Sequence, residues 1–252
     1  MNLEEYEKLH PNSVVEHAGA RMIFNTPNRA TAWRAGSLFN KEPDTIAWIG
    51  GFGQGDVLLD IGANVGMYSI FAAATRGAMV YAFEPESQNY ALLNRNIHDN
   101  GLADRVVAFC AALSDVTSFH RLYLSEFVPG SSCHNFGEPV DYQERAMHSP
   151  YAQGCFSTTV DELVSQGAIP VPAHVKIDVD GIEPKVIAGA RRTLKDPRVR
   201  SLLIEINTAL DSHWEIIDWM LDAGFDYDLR QADAARRADG AFEGVGNYVF
   251  RR

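Results

Sequence analysis

Val57-Leu58-Leu59-Asp60-Ile61-Gly62-Ala63-Asn64-Val65-Gly66-Met67 is an apolar run, a turn with two glycines, and the first residue of a helical pattern. Strand, tight turn and helix in that order mark a ligand-binding turn at the carboxyl edge of a parallel sheet. Gly62 and Gly66 allow positive φ and a close approach of ligand to backbone, and the unpaired N–H groups opening the helix face the turn.

The charge of the turn narrows the ligand. A pyrophosphate site carries G-x-G-x-x-G at a helix N-terminus, whereas this turn has two glycines and is opened by a carboxylate, Asp60. Phosphate is repelled there; a ligand bearing an ammonium and a sulfonium is not, and S-adenosylmethionine carries both. A second run, Met79-Val80-Tyr81-Ala82-Phe83, ends in Glu84, 18 residues after Gly66, where an acid can accept from both hydroxyls of a ribose. Asp60, Gly62, Asn64, Gly66 and Glu84 are the candidate cofactor residues. The plainer reading of Glu84, which precedes Pro85, is an acid at the start of the next helix.

The chain has 252 residues, 46% of them apolar, enough for one large domain with a sizeable core. A formal charge of −11 opposes binding to phosphate backbones, so the expected partner is a small-molecule acceptor and not nucleic acid. Three scattered cysteines, Cys110, Cys133 and Cys155, do not form a disulfide framework. The acidic N-terminus lacks the basic and apolar parts of a leader, and no apolar run is long enough to span a membrane. A cytoplasmic location is the expectation.

Residues 14–34 suggest a short hairpin followed by an irregular segment, and Glu42-Pro43-Asp44 opens a helix through Ile46, Trp48 and Ile49. Residues 1–56 thus read as a segment that either caps the ligand cleft or covers an edge, ahead of a domain over 57–252. There, strands and helices alternate. Val106–Phe109 is a third strand, and the following Leu113-Ser114-Asp115 reaches the ligand edge, which makes Ser114 and Asp115 candidates for an adenine pocket or an ordinary turn pair.

Residues 116–157 break the alternation and read as an insert with no regular period. Its polar centre, Ser131 to Asn135, is expected to face the acceptor as a lid rather than to touch the cofactor. The adjacency of Cys133 and His134 argues against a structural zinc site. In His174 to Glu183, period-2 alternation places Lys176, Asp178 and Asp180 on one side, with Asp178 beside the first strand; Asp180 and Glu183 read as helix caps. Ser201–Asn207 is a fifth strand with Glu205 and Asn207 at its end, and two terminal strands flank a polar loop over 232–240.

With Glu42-Pro43-Asp44-Thr45, the Asp60 to Gly66 turn, Ala82-Phe83-Glu84-Pro85, Asn94 and Asn96, Lys176-Ile177-Asp178-Val179-Asp180-Gly181-Ile182-Glu183 and Ile204-Glu205 in place, the chain resembles the FkbM family of S-adenosylmethionine-dependent methyltransferases. The resemblance runs from about Glu42 to Arg252; Asp180 stands where the family often has Glu. It implies an α/β, doubly wound, Rossmann-like class I methyltransferase sheet of seven strands, mostly parallel with the last reversed, and methylation of hydroxyls on sugars, polyketides or other small metabolites.

The sulfonium already activates the methyl group, so the protein has to align an oxygen and remove its proton. One route is a histidine base, His134 first, with His148 and His213 as alternatives. The other is Mg²⁺ held by Asp178, Glu205 and Asn207. Asp178 is the candidate common to cofactor and catalysis. A non-catalytic S-adenosylmethionine-binding protein is the main rival, and a nicotinamide oxidoreductase a weaker one because the third glycine is missing.

Overall fold

The computed structural model describes all residues from 1 to 252. The apolar runs Val57–Ile61 (β1), Met79–Phe83 (β2), Val106–Phe109 (β3), His174–Ile177 (β4) and Ser201–Asn207 (β5) pair in parallel. Asp226–Tyr227 (β6) and Val245–Arg251 (β7) complete the sheet, with β7 antiparallel to β5 and to β6. The spatial order is β3-β2-β1-β4-β5-β7-β6, so the winding reverses between β1 and β4. At that reversal, crossover helices diverge to opposite faces and leave a crevice outside the carboxyl ends of the strands.

Both faces of the sheet are covered, which is why its strands read as unbroken apolar runs. Leu58 joins the core on one face, Leu59 and Ile61 the core on the other. Asp60 and Lys176 face each other in register across β1 and β4, a charged pair 1% and 2% exposed inside this apolar sheet. The helix Met67–Arg76 starts from Gly66 in the left-handed conformation, and Ser87–Asp99 is capped by Glu86, whose carboxylate accepts from the Asn89 N–H. The capping role considered for Glu84 therefore belongs to Glu86.

The expected hairpin is present, Asn12–His17 against Ala20–Asn25. After it, where an irregular segment was expected, Arg29–Ser37 is a helix closed by a capping box between Asn28 and Thr31. Its buried face is made of Thr31 and Ala35, small side chains that leave little hydrophobic period in the sequence. The helix Pro43–Gly50 packs Trp48 and Ile49 into the core, with Trp48 Nε1 donating to Ser201 Oγ at 2.8 Å. It covers the sheet and does not reach the crevice.

The insert also departs from expectation: it is a second sheet, of strands Ala112–Leu113, Tyr151–Thr158, Ser118–Leu124 and Asn135–Phe136 in that order. Its long antiparallel pair aligns Ser118 to Leu124 with Ser157 to Tyr151. Phe119 and Phe156 oppose each other there with ring centroids 5.1 Å apart, although Phe119 is 83% exposed. Aromatic residues on the solvent face hide the alternation that marks a half-buried strand. Leu229–Ala235, which runs into the start of the expected polar loop, is a short helix capped by Asp228. No helix is long and apolar enough to cross a membrane.

Candidate active site

A cavity of about 380 Å³ lies in the crevice at the strand ends, with Ile61, Phe83, Asp178 and Glu205 among its walls. That volume is within the usual range for small-molecule sites.

Its floor is the turn after β1, where the glycines serve packing. A Cβ on Gly62 (φ +80°) would stand 1.8 Å from the carbonyl oxygen of Asp178, and one on Gly66 (φ +83°) 2.4 Å from Leu93 Cδ1. The N–H groups of Gly62 and Ala63 both donate to the Phe83 carbonyl at 3.0 Å, so the sheet has already taken them. Gly62 and Asn64 line the cavity; Gly66 and Asp60 do not. Asp60 is buried behind the turn, accepting from Ser69 Oγ at 2.5 Å, and burial raises its pKa against the pull of Lys176. The charge argument that selected Asp60 fails in three dimensions because side chains alternate along a strand, and this one points into the layer under the turn.

Asn64 takes the left-handed conformation (φ +51°), which asparagine tolerates better than most residues. Its N–H donates to Glu84 Oε2 at 2.8 Å and its side-chain amide to the Ser131 carbonyl at 2.7 Å. The other oxygen of Glu84 accepts from the Glu86 N–H at 2.8 Å. Glu84 lines the cavity although only 5% exposed, and burial pushes its pKa up to about 7 despite these two N–H donors. Each carboxylate oxygen retains one further acceptor position.

Beside Glu84 the wall is apolar: Phe83, Pro85, Ala111, Ala112, Leu113 and Phe136. Ser114 and Asp115 lie outside it. Ser114 donates its N–H to the Thr158 carbonyl, and its own carbonyl packs where a Cβ on Gly189 would fall, so this pair faces a helix instead of the cavity.

Farther round the wall, one oxygen from each of Asp178, Asp180 and Glu205 lies within 4.8 Å of the others. Asp178 accepts from Lys176 Nζ at 2.8 Å; burial opposes its ionisation, but Lys176 and Lys41 hold its pKa at about 2. Burial and the charge of Asp178 raise the pKa of Asp180, which accepts from the Cys133 N–H at 2.7 Å. Burial and the neighbouring Asp178, Asp180 and Glu183 raise Glu205 well above the ordinary carboxylate range, with Arg237 3.6 Å away.

Asp180 thus stands where Asn207 was expected among the oxygen donors. Asn207 is 4% exposed and closes its own strand end, its side-chain oxygen accepting from the Ala209 N–H and its N–H donating to His213 Nδ1. Nor is Asp180 a helix cap: the N–H groups of Val179 and Gly181 go to Glu183. The same-side spacing of Asp178 and Asp180 was the available signal for this pairing.

None of the three histidines presents a free lone pair to the cavity. His134 lines the cavity, but Nδ1 accepts from the Ser125 N–H at 3.2 Å, which assigns the ring proton to Nε2. That nitrogen is buried without a partner, and burial lowers the pKa to about 4. The ring is neutral and offers a donor where a base needs a free lone pair. His213 is bound to Asn207 in the same way and lies off the cavity, as does the exposed His148.

The roof joins two parts of the chain. Arg34 Nε donates to the Gly130 carbonyl at 2.6 Å and the Asn28 amide to the Pro129 carbonyl at 2.8 Å. Asn89 accepts from the Gly130 N–H and donates to the Ser131 carbonyl, which Asn64 also reaches. Ser131 therefore rests on the turn after β1, a contact that the expectation for this stretch did not include. Trp33, Arg34 and Lys41 from the N-terminal segment and Arg237 and Phe242 from the C-terminal one complete the lining. None carried a sequence signal, because isolated cations and aromatics outside a motif are ordinary surface residues.

A seven-stranded sheet in this order, its last long strand reversed and an acid ending β2, defines a Rossmann-like class I methyltransferase. The sequence pattern of the methyltransferase FkbM domain matches residues 60–227; the chain belongs to that family and is an S-adenosylmethionine-dependent methyltransferase. It is 26% identical over 201 residues to the hexuronic acid methyltransferase AglP of Haloferax volcanii, covering 79% of this chain and 75% of that one. It is 28% identical over 194 residues to the 31-O-demethyl-FK506 methyltransferase FkbM of Streptomyces tacrolimicus, covering 68% and 73%. Among solved structures, it is similar to a precorrin-6y C5,15-methyltransferase from Geobacter metallireducens, with 15% identity, a TM-score of 0.48 and coverage of 91% and 93%.

Proposed function

We propose that the protein methylates a hydroxyl of a small metabolite, such as a sugar or polyketide. The observation that carries this reading is the trio Asp178, Asp180 and Glu205 in the same cavity as Glu84: one part of the lining suits a ribose, another suits a hydroxyl that must lose its proton. Bound S-adenosylmethionine supplies a methyl group already activated by its sulfonium. Around it, Glu84 accepts from the ribose hydroxyls, Asn64 holds Glu84 in place, and the wall from Ala111 to Leu113 contacts the adenine. Glu205 in its ionised form receives the acceptor proton, the raised pKa making that carboxylate the stronger base; Asp178, tied to Lys176, keeps its charge. The overall charge of −11 favours a small acceptor over nucleic acid. The relative named for demethyl-FK506 supports an oxygen acceptor, and the one named for hexuronic acid a sugar.

The trio also suits a divalent cation, since three carboxylates form a hard-oxygen donor set. Mg²⁺ held there would acidify the hydroxyl, with Asp180 replacing Asn207 in the set read from the sequence. The test is methyl transfer to a panel of sugars and polyketides. Glu205→Gln should lower turnover by about 10²–10⁴-fold with S-adenosylhomocysteine affinity retained, and EDTA decides whether a cation takes part. Unchanged turnover in Glu205→Gln overturns the assignment of this end of the cavity.

A further inference from the structure

We propose that the N-terminal segment completes the cofactor site: Arg34 and Lys41 bind the carboxylate, and Asp178 the ammonium, of the cofactor's amino-acid end. The proposal rests on the reading of the glycine turn and Glu84 as the cofactor site. It goes beyond the matched domain, because residues 34 and 41 precede its first residue, 60.

Beside the main cavity lies a side pocket of about 40 Å³, lined by Arg34, Lys41, Gly62, Asn64, Tyr68 and Asp178 among others. All of these except Tyr68 also line the main cavity, so the two spaces share a wall. About 10–15 Å³ of such space is enough to hold one water, so the pocket has room for the few heavy atoms of an amino-acid end. The walls present both signs of charge.

Arg34 spends Nε on the Gly130 carbonyl, while its two terminal nitrogens have no hydrogen-bond or carboxylate partner in the protein. A guanidinium fork with both ends free matches a carboxylate bidentately. Lys41 Nζ is 2.6 Å from Glu42, itself held by the Tyr68 hydroxyl at 2.8 Å, and an ammonium has two more N–H groups to give. Asp178 gives one oxygen to Lys176 and keeps the other for a ligand. Two cations and a carboxylate around one small space are complementary to an α-amino acid, which carries both of its charged groups on one carbon. A purely anionic group would leave Asp178 unmatched, and a purely cationic one Arg34.

The side pocket also separates donor from acceptor. It is walled by the turn residues Gly62 to Asn64, whereas Asp180, Glu205, Arg237 and Phe242 line only the main cavity. A carboxylate on the acceptor would be met from that other set.

The test compares S-adenosylhomocysteine with 5′-methylthioadenosine, which shares adenine, ribose and sulfur but lacks the amino-acid end, by calorimetry on the full chain. Wild-type protein should bind the former at least about tenfold more tightly, and Arg34→Ala should weaken it about tenfold or more, the range for losing hydrogen bonds to a charged group. 5′-Methylthioadenosine affinity should stay within about twofold in the same variant, which also reports that the roof still folds without the Arg34 bond to Gly130. Lys41→Ala, which leaves that bond intact, should show the same selective loss at smaller size. Equal weakening of both ligands, or no change in either, overturns the proposal and leaves the cofactor site standing. No binding of S-adenosylhomocysteine to the wild type overturns both.

Discussion

Gly62 and Gly130 both have φ near +80°, yet a Cβ meets different obstacles at each. At Gly62 it strikes the backbone oxygen of Asp178 at 1.8 Å; at Gly130 it meets a methyl of Thr31 at 2.8 Å. The first belongs to the wall of the cavity, where β1 and β4 press backbone against backbone at the reversal of the sheet. The second belongs to the roof, where Asn28 and Arg34 join the helix Arg29–Ser37 to the insert, and Asn64 and Asn89 tie the insert to the turn after β1 and to the helix Ser87–Asp99, all through the carbonyls of Pro129 to Ser131. A wall built from ladder bonds and buried strands cannot change without unfolding. A roof built from a few side-chain bonds can vary.

That contrast sets the largest expected effect. Gly62→Ala should lose more than about 3 kcal/mol of stability, because the conformation and the backbone contact are both prohibitive, whereas Gly130→Ala should lose about 1–2 kcal/mol as the Thr31 side chain yields. Urea midpoints of the two variants measure the gap, and equal losses would end the distinction between wall and roof.

Glu84→Ala comes next, weakening S-adenosylhomocysteine by about 1–3 kcal/mol; since it also strands the N–H groups of Asn64 and Glu86, calorimetry belongs well below the melting temperature. An unchanged dissociation constant removes Glu84 from the site.

The pKa of Glu84 adds a pH signature. It is raised from 4.5 to about 7, so in the empty protein the folded state keeps a proton that the unfolded state has released. This contribution to stability is complete below pH 4.5 and fades as pH rises through 7. Ribose hydroxyls donate best to the ionised carboxylate, so the sign for binding is opposite: S-adenosylhomocysteine should bind more tightly from pH 6 to 8 and level off above. The limit is about tenfold per unit below the pKa, and a flat calorimetric profile over that range would show that ribose does not meet Glu84.

His134→Ala should have the smallest effect, changing cofactor affinity by no more than about 0.5 kcal/mol, because the roof is fastened by backbone carbonyls around it and its Nδ1 is committed to Ser125. A tenfold loss would make Nε2–H a ligand contact and sharpen the roof into part of the cofactor site.

The seven strands were legible because a doubly covered sheet selects continuous apolar runs, and β1, β2, β4 and β5 are such runs. That Glu84 and Asp178 line the cavity was legible because they stand where those runs end. The insert sheet was not, since its pairing of Ser118 to Leu124 with Tyr151 to Ser157 spans a long separation and turns aromatic residues to solvent. The helix Arg29–Ser37 was missed because it buries small side chains, and its only clear mark was the Asn28 and Thr31 capping box.

By itself, the sequence determined the class of fold and the edge of the sheet where the cavity lies, because period, apolar runs and turn chemistry are local and act within a few residues. Only the tertiary structure decided which residues of each motif reach the cavity. Asp60 turns under the sheet while Asp178 looks out of it; Asp180 joins Glu205, and Asn207 serves its own turn. Arg34 and Lys41 arrive from a segment that nothing local connects to the turn at Gly62. Which charged side chains share one small volume depends on strand order, pleat and the packing of distant segments, and those are properties of the whole chain.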